Sequence, residues 1–269
     1  MDNFTFYSPT YFAFGKGTEN ETGKYVKKYG GHKVLIHYGG GSVKRSGLLD
    51  RVKVSLDAEG IAHVELGGVK ASPHADLVYE GIELAKKEGV DFVLAIGGGS
   101  VMDSAKGIAL GVKYDGDFWD FYCGKQGPVT EALPVGCVVT IAASGSEGST
   151  DSVVTLVTED GHQYKRCADG DILRPLFAIM NPELMMTLPP YQTASGLADI
   201  FAHCLERYFS HTKDCELTDR MLEAVMLTII KEGRRVMKNP NDYEARANIM
   251  WAAMVAQNNS TGVGRAQDW

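Results

Sequence analysis

The sequence predicts an α/β fold, a Rossmann-like parallel sheet covered by helices, followed by an all-helical part. Through residue 110, apolar strand-like runs alternate with helix-like segments, a pattern typical of doubly wound parallel sheets. Two of these runs end in the same turn, Gly-Gly-Gly-Ser, at 39–42 and 97–100. After residue 187 the strand-like runs give way to helical patterns. We therefore predict an α/β domain over 1–187 and a helical domain over 188–269.

The first 110 residues contain most of the predicted sheet. The predicted strands lie at 5–7 and 12–14, which form a short aromatic pair, and then at 33–38, 61–66 and 90–96. One helix ends at Gly30, and a second runs from Val43 to about Glu59. A third begins at Ser72 and Pro73, because Ser is a favoured N-cap and Pro fits the first helical position.

The later elements follow from the same patterns. A further strand is predicted at 134–140, and two β-type pieces at 153–157 and 176–180 surround a polar loop that holds Lys165. Thr187 and the prolines after it start the helical part, with helices near 190–210, 217–237 and 241–257.

The stretch Val90–Leu110 organises the α/β part. Its apolar run ends in three glycines and Ser100, and a helix opens at Val101. Glycines let the backbone approach a ligand, and the first amides of a helix attract anions. The turn is therefore either a seat for a nucleotide diphosphate or a tight turn in which Ser100 and Asp103 form a capping box. Neither Gly-rich turn is a GxGxxG or a P-loop, which argues against an ordinary Rossmann dehydrogenase or a P-loop NTPase.

Composition excludes several classes of partner. The formal net charge is -7 and the lysines and arginines form no stripe, so we expect no nucleic-acid partner. Five scattered cysteines without a CxxC pair suggest free thiols in a reducing cytoplasm. The N-terminus has no signal-peptide features, and apolar runs fall short of the ~18 residues of a membrane helix. We expect a cytoplasmic protein without a membrane partner.

Asp199 and His203 lie four residues apart in a predicted helix. That spacing places both side chains on one helix face. A carboxylate and an imidazole arranged in this way either bind one divalent metal or form an ordinary hydrogen-bonded pair. Two ligands are too few to close a metal site.

Five segments together resemble the iron-containing alcohol dehydrogenase family. They cover nearly the whole chain in the family's order, and they are YGGGSVK (38–44), GGGSVMDSAKG (97–107), TIAASGSE (140–147), NPELMMTLPP (181–190) and GLADIFAHCLE (196–206). The resemblance is to the NADPH-dependent butanol dehydrogenase and aldehyde reductase branch. It implies a dehydroquinate synthase-like α/β domain that binds NADP(H), and a helical domain that binds iron or zinc. It also implies short-chain aldehydes and primary alcohols as substrates, and a homo-oligomer.

The resemblance assigns the cofactor contacts mainly to the two glycine turns. The residues implied to hold the diphosphate and adjoining ribose are Gly97, Gly98, Gly99, Ser100 and Asp103. The other implied cofactor-binding residues are Gly39, Gly40, Gly41 and Ser42 in the first turn, Thr140, Ser144 and Ser146 beside the nicotinamide, and Lys165 at the ribose. Asp199 and His203 are implied to be the first two of four metal ligands, and no further catalytic residue is implied.

The residues after Tyr38 favour NADP over NAD. NAD-binding proteins usually place a carboxylate near the adenine ribose, whereas here three glycines follow Tyr38, and Lys44 and Arg45 come next. No acid in this stretch would repel a 2′-phosphate, and the two bases could attract one. The alternative is that Lys44 and Arg45 form a solvated helix face.

The end of the chain departs from the family pattern. The family's other two ligands are histidines just past GVGRAQDW, where this chain stops. We therefore expect the 269 residues to be the N-terminal portion of a longer enzyme, or a protein that has lost its C-terminal part. In either case we expect the cofactor domain to tolerate the absence of the C-terminal part. Metal affinity and turnover should be lost unless another chain contributes ligands. The alternatives are a non-catalytic nucleotide-binding fragment and a polyol dehydrogenase of the same superfamily.

Overall fold

A computed structural model describes residues 1–267 of the chain. The strands are β1 (Tyr11–Phe14), β2 (Lys33–Tyr38), β3 (Ala62–Leu66), β4 (Phe92–Gly97), β5 (Val135–Val139), β6 (Asp151–Val157), β7 (Gln163–Asp169) and β8 (Phe177–Met180). Six of them form one parallel sheet in the order β1-β8-β5-β4-β2-β3. The strands β6 and β7 form a separate antiparallel hairpin.

Helices lie between the strands of the sheet and again after it. They are α1 (Thr22–Lys28), α2 (Ser42–Arg45), α3 (Leu48–Ala58), α4 (Ala75–Glu88), α5 (Gly99–Lys113), α6 (Trp119–Tyr122), α7 (Pro190–Tyr208), α8 (Glu216–Lys238) and α9 (Tyr243–Gln257). The predicted fold class, a parallel α/β sheet followed by a helical part, is confirmed. The domain boundary at residue 187 stays a prediction. No helix within residues 1–267 is both long and apolar enough to cross a membrane.

The sheet separates two apolar layers, because alternate residues of a strand point to opposite faces. In β4, Val93 and Ala95 belong to one buried cluster, whereas Leu94 and Ile96 belong to the other. All of β4 is buried. A strand covered on both faces needs an almost continuous apolar run, which explains why the sequence revealed this strand.

Three helix predictions were wrong, two of them in the position of the start and one in continuity. The helix α4 begins at Ala75 with His74 as its N-cap, and Ser72 instead has a φ of 54°. The predicted 43–59 helix is two helices, α2 and α3, because Gly47 between them has a left-handed φ of 68°. The N-cap of α5 is Gly98, without a side-chain cap, so Ser100 lies inside the helix and the proposed capping box does not form.

Two predictions in less apolar segments also failed. Residues 5–7 are not in a strand, and β1 covers only the second aromatic piece. Lys165 lies in strand β7 rather than in a loop. Most of β7 is exposed, so its sequence lacks the alternating apolar pattern by which a half-buried strand is recognised.

The order of the strands brings the two Gly-Gly-Gly-Ser turns together. After β2 the chain moves outward to β3 and then returns to β4 on the other side of β2. The direction of winding therefore reverses between β2 and β4. Ligands of open α/β sheets bind at the carboxyl ends of the strands at such a reversal. The turns at 39–42 and 97–100 follow those two strands directly.

Candidate functional site

The second glycine turn packs tightly against the loop that follows β5. A Cβ atom at Gly99 would lie 2.1 Å from the Ser144 Oγ, and one at Gly98 would lie 2.2 Å from the Ile141 Cγ2. The Thr140 amide donates to the Gly97 carbonyl at 3.0 Å. Glycine is therefore favoured here, because side chains of a neighbouring segment occupy the space that another side chain would need.

The first turn has more space around it. A Cβ atom at Gly40 would meet no heavy atom within 4 Å, and one at Gly39 would make only ordinary contacts. Gly41 and Ser42 are exposed at the start of α2. A ligand can therefore lie directly against the backbone of this turn. It can use the space at Gly40 that a side chain would otherwise fill.

One cavity of about 660 Å³ brings the two predicted groups of residues together. Asp103, Ser144 and Ser146, which are predicted cofactor residues, line it, and so does His203 from the helical part. Asp103 and Ser146 are in direct contact, since the Ser146 Oγ donates to the Asp103 Oδ1 at 2.7 Å. Burial raises the pKa of Asp103 to about 6.

Other residues of the cavity wall were missed by sequence reasoning. They include Asp151, Arg174, Arg207 and Gln257. The Arg207 guanidinium donates to the His203 carbonyl at 2.9 Å and to the Gln257 side chain at 2.7 Å. The one available signal was the position of Arg207, four residues after His203 and hence on the same helix face.

The helix α7 reaches the cavity because Gly196 allows a close approach. A Cβ atom there would lie 2.3 Å from the Ala142 carbonyl oxygen. Asp199 and His203 follow on the same helix. The contact therefore sets the distance from this pair to the loop after β5, which carries Ser144 and Ser146.

The Asp199–His203 pair fits two ligands of one divalent metal. The Asp199 Oδ2 and His203 Nε2 atoms are 3.8 Å apart, within the span of two ligands that each lie about 2.1 Å from one ion. Burial, and then the Arg207 charge, lower the pKa of His203 to about 4. The imidazole is thus neutral at pH 7, as a metal ligand must be. Within residues 1–267, no group of three His, Cys, Asp or Glu side chains could hold a metal, so the pair alone does not close a site.

Lys165 extends the predicted site on the side of the β6–β7 hairpin. Burial raises the pKa of Asp199, and the positive charge of Lys165 opposes that increase. The lysine is therefore close enough to influence the carboxylate. A predicted cofactor residue therefore lies within electrostatic range of the Asp199 carboxylate, although the two are 34 residues apart in the chain.

The structure also places an acid near the first glycine turn. The Tyr38 hydroxyl donates to Glu65 at 3.0 Å, and the Lys53 ammonium lies 2.7 Å from the same carboxylate. The Lys44 ammonium lies 5.1 Å from the centre of the Tyr38 ring. Sequence reasoning considered only the residues that follow Tyr38, and it missed Glu65 because that residue comes from the adjacent strand β3.

Comparison with known proteins gives matches over almost the whole chain. The family model described as "Iron-containing alcohol dehydrogenase" matches residues 9–182, and "Fe-containing alcohol dehydrogenase family, C-terminal" matches residues 193–269. A probable NADH-dependent butanol dehydrogenase 2 of Bacillus subtilis is 42% identical over 269 residues, which are 100% of this chain and 68% of that protein. The NADPH-dependent aldehyde reductase YqhD of Escherichia coli is 38% identical over 272 residues, with the same two coverages.

A solved structure shows the same fold. The NADH-dependent butanol dehydrogenase A of Thermotoga maritima superposes with a TM-score of 0.95 and 42% identity, and the match covers 99% of this chain and 66% of that one. The parallel sheet and the helical part are thus folded as in that structure. The chain belongs to this family. It spans about two thirds of the length of these relatives.

Proposed function

We propose that this chain binds NADP(H) and serves the interconversion of short-chain aldehydes and primary alcohols. The observation that carries the proposal is the shared cavity, which Asp103 and Ser146 line together with His203 of the predicted metal pair. The relatives support it, because their names describe butanol dehydrogenases and an aldehyde reductase.

The residues have distinct roles in this proposal. The first amides of α5, at Gly99 and Ser100, face the sheet edge and bind the diphosphate, since they have no partner within the helix. Asp103 and Ser146 hold the ribose and the nicotinamide at the cavity. Lys165 donates to the same ribose from β7. These residues would hold the cofactor at the cavity that His203 of α7 also lines.

Asp199 and His203 would hold the metal. The nicotinamide would supply or accept the hydride, and iron or zinc would supply a Lewis acid for the carbonyl oxygen. The chain aligns the metal pair with the cofactor residues, because α7 sets the distance between Asp199 and His203 and the loop after β5. The His203 imidazole is neutral, which is the form that binds a metal. The cavity wall would hold the aldehyde between the cofactor residues and the metal pair.

NADP is the proposed cofactor because bases lie beside the first turn. Lys44 lies over Tyr38, and the Arg45 Nη1 lies 2.7 Å from where a Cβ of Gly41 would be. Both can reach a phosphate on the adenine ribose. Relatives named as NADH-dependent and as NADPH-dependent are both present, so the cofactor has to be measured.

The test uses Gly40→Glu with Gly127→Glu as its matched control. At both glycines a Cβ atom would meet nothing within 4 Å, and neither has a left-handed φ, so both variants should fold. Only Gly40 lies in the proposed cofactor turn. Fluorescence titration should show that the parent and the control both bind NADPH and NADH, and that NADPH binds more tightly. In Gly40→Glu the affinity for NADPH should fall at least tenfold.

Metal content and NADPH consumption with butyraldehyde complete the test. Turnover that depends on added iron or zinc would support the proposal that the chain is a metal-dependent oxidoreductase. Cofactor binding without metal or turnover would favour the alternative of a nucleotide-binding fragment, and turnover with polyols alone would favour the polyol dehydrogenase. If the parent chain binds neither cofactor, the proposal is wrong.

A further inference from the structure

Lys106 is a charged side chain with no exposed surface. It lies on α5, three residues after Asp103, and its exposed fraction is 0%. Its ammonium lies near four oxygen atoms, all from one segment that follows β5. They are the Ser146 carbonyl at 2.9 Å, the Ser146 Oγ at 2.9 Å, the Ser149 carbonyl at 3.0 Å and the Asp151 carbonyl at 2.8 Å.

Such burial is stable only because these contacts replace water. A buried ammonium costs several kcal/mol unless all its protons are bonded, and here three N–H groups meet four acceptors. Burial lowers the pKa of Lys106, while the charges of Asp103 and Asp151 oppose that effect. The three carbonyls of Ser146, Ser149 and Asp151 are stabilised as well, because each accepts a hydrogen bond from a charged donor in the protein interior.

The same ammonium acts on Asp103 through Ser146. A serine hydroxyl has one proton. Because the Ser146 Oγ accepts from Lys106, that proton is directed to the Asp103 Oδ1, 2.7 Å away. The backbone of Asp103 is bonded to the residue that follows the 146–151 segment, since the Ser152 Oγ donates to the Asp103 carbonyl at 2.7 Å. Lys106 thus connects α5, the 146–151 segment and the cavity.

We propose that Lys106 is a positioning residue, which fixes the 146–151 segment and directs the Ser146 hydroxyl onto Asp103. Its effect on cofactor affinity rests on the proposed function, because that function places the ribose and nicotinamide at Asp103. Its effect on the segment does not depend on any ligand.

The first experiment replaces Lys106 with Met, which keeps the length and loses the donors. Hydrogen exchange of the 146–151 amides should become at least tenfold faster, and the dissociation constant for NADPH should rise about tenfold, as expected when three buried carbonyls lose their ammonium donor. Lys113→Met, an exposed lysine at the end of the same helix, is the control and should change neither value. Unchanged exchange and unchanged affinity in Lys106→Met would overturn the proposal.

A second pair of variants decides the question even if Lys106→Met folds poorly. Ser146→Ala keeps the three carbonyl contacts, so protection of the segment should persist while NADPH affinity falls. In Lys106→Ala, propylammonium should restore both protection and affinity, whereas propanol, which carries no charge, should not. Rescue by neither compound, or unchanged affinity in Ser146→Ala, would contradict the positioning role.

The two proposals fail in different ways. If the parent chain binds neither NADPH nor NADH, the proposed function is wrong, and exchange of the 146–151 amides alone then decides the role of Lys106. If the parent binds NADPH and the Lys106 variants bind it equally well, only the role of Lys106 is wrong.

Discussion

Lys44 is one of two bases beside the first glycine turn, and the position of its charge depends on its neighbours. Its ammonium lies over the Tyr38 ring, and Tyr38 donates to Glu65. The hydrogen bond from Lys53 contributes most to the lowered pKa of Glu65, and the positive charge of Lys44 lowers it further. The Glu65 carboxylate therefore attracts the same ammonium that a 2′-phosphate would use.

Removing the Glu65 charge should strengthen the preference for NADPH. In Glu65→Gln we expect the ratio of the NADH to the NADPH dissociation constant to rise roughly threefold, the size of a partly exposed charge interaction. Lys44→Ala should lower that ratio by a similar factor. Fluorescence titrations at low and high salt provide the measurement, and the effect should shrink at high salt. Lys125→Ala, at an exposed lysine paired with Asp120, should leave the ratio unchanged.

At the scale of single residues, sequence reasoning located side chains that are close in the chain and missed those that meet through the fold. The spacing of Asp199 and His203 predicted their contact, because both lie on one helix. Glu65 and Asp151 were missed, since the first reaches Tyr38 through strand pairing and the second enters the cavity from the start of the β6–β7 hairpin.

Among the elements, α7 couples the helical part to the cofactor loop. Its contact at Gly196 leaves no room for a side chain, since the nearest atom to an added Cβ is a backbone oxygen, which cannot rotate away. The pair at Asp199 and His203 lies one and two turns further along the helix. A displacement of α7 would therefore move the metal pair relative to Ser144 and Ser146.

Gly196→Ala should destabilise the protein, although alanine normally favours a helix by about 1 kcal/mol. The forced contact with the Ala142 carbonyl should cost about 1–3 kcal/mol, measurable by urea unfolding, and should weaken cobalt or zinc binding at the same time. Gly233→Ala is the matched control, because the nearest atom there is a Leu197 side-chain carbon at 3.2 Å. Equal stability of the two variants would show that α7 can move away at little cost.

Prediction of the elements from sequence succeeded where burial imposes a pattern. The strands β2 and β4 were predicted to within a residue or two, because central parallel strands are continuous apolar runs. The exposed strand β7 was missed for the opposite reason. The N-cap of α4 is His74 rather than Ser72, which shows that a good capping residue predicts a nearby helix better than it predicts where that helix begins.

For the whole molecule, His37 ties three elements together beneath the sheet. Its Nδ1 lies 2.9 Å from the Leu66 carbonyl at the end of β3, and its Nε2 lies 2.8 Å from the Ser104 Oγ on α5. Since the carbonyl only accepts, the Nδ1–H donates to it. In the neutral imidazole the Nε2 then accepts the Ser104 hydroxyl proton. Burial lowers the pKa of His37 to about 4.

This histidine should make folding depend on pH in the acid range. An unfolded chain binds the proton near pH 6.5 and the folded chain only near pH 4, so the stabilisation is complete above pH 6.5 and is lost as the pH falls toward 4. The loss is roughly 3 kcal/mol. Asp103 and Glu147 act in the opposite direction, because burial raises the pKa of each, to about 6 and about 7, so the pH profile of the parent alone would not isolate His37.

The difference between the parent and His37→Asn isolates the effect. The variant should be less stable than the parent at pH 7.5, and urea unfolding at several pH values should show this deficit shrinking by roughly 3 kcal/mol toward pH 4. The reason is that only the parent has the His37 imidazole to protonate, whereas Asp103, Glu147 and the buried imidazole of His203 are common to both chains and cancel in the difference. Parallel stability curves between pH 7.5 and 4 would show that His37 can accept a proton without breaking its contacts to Leu66 and Ser104.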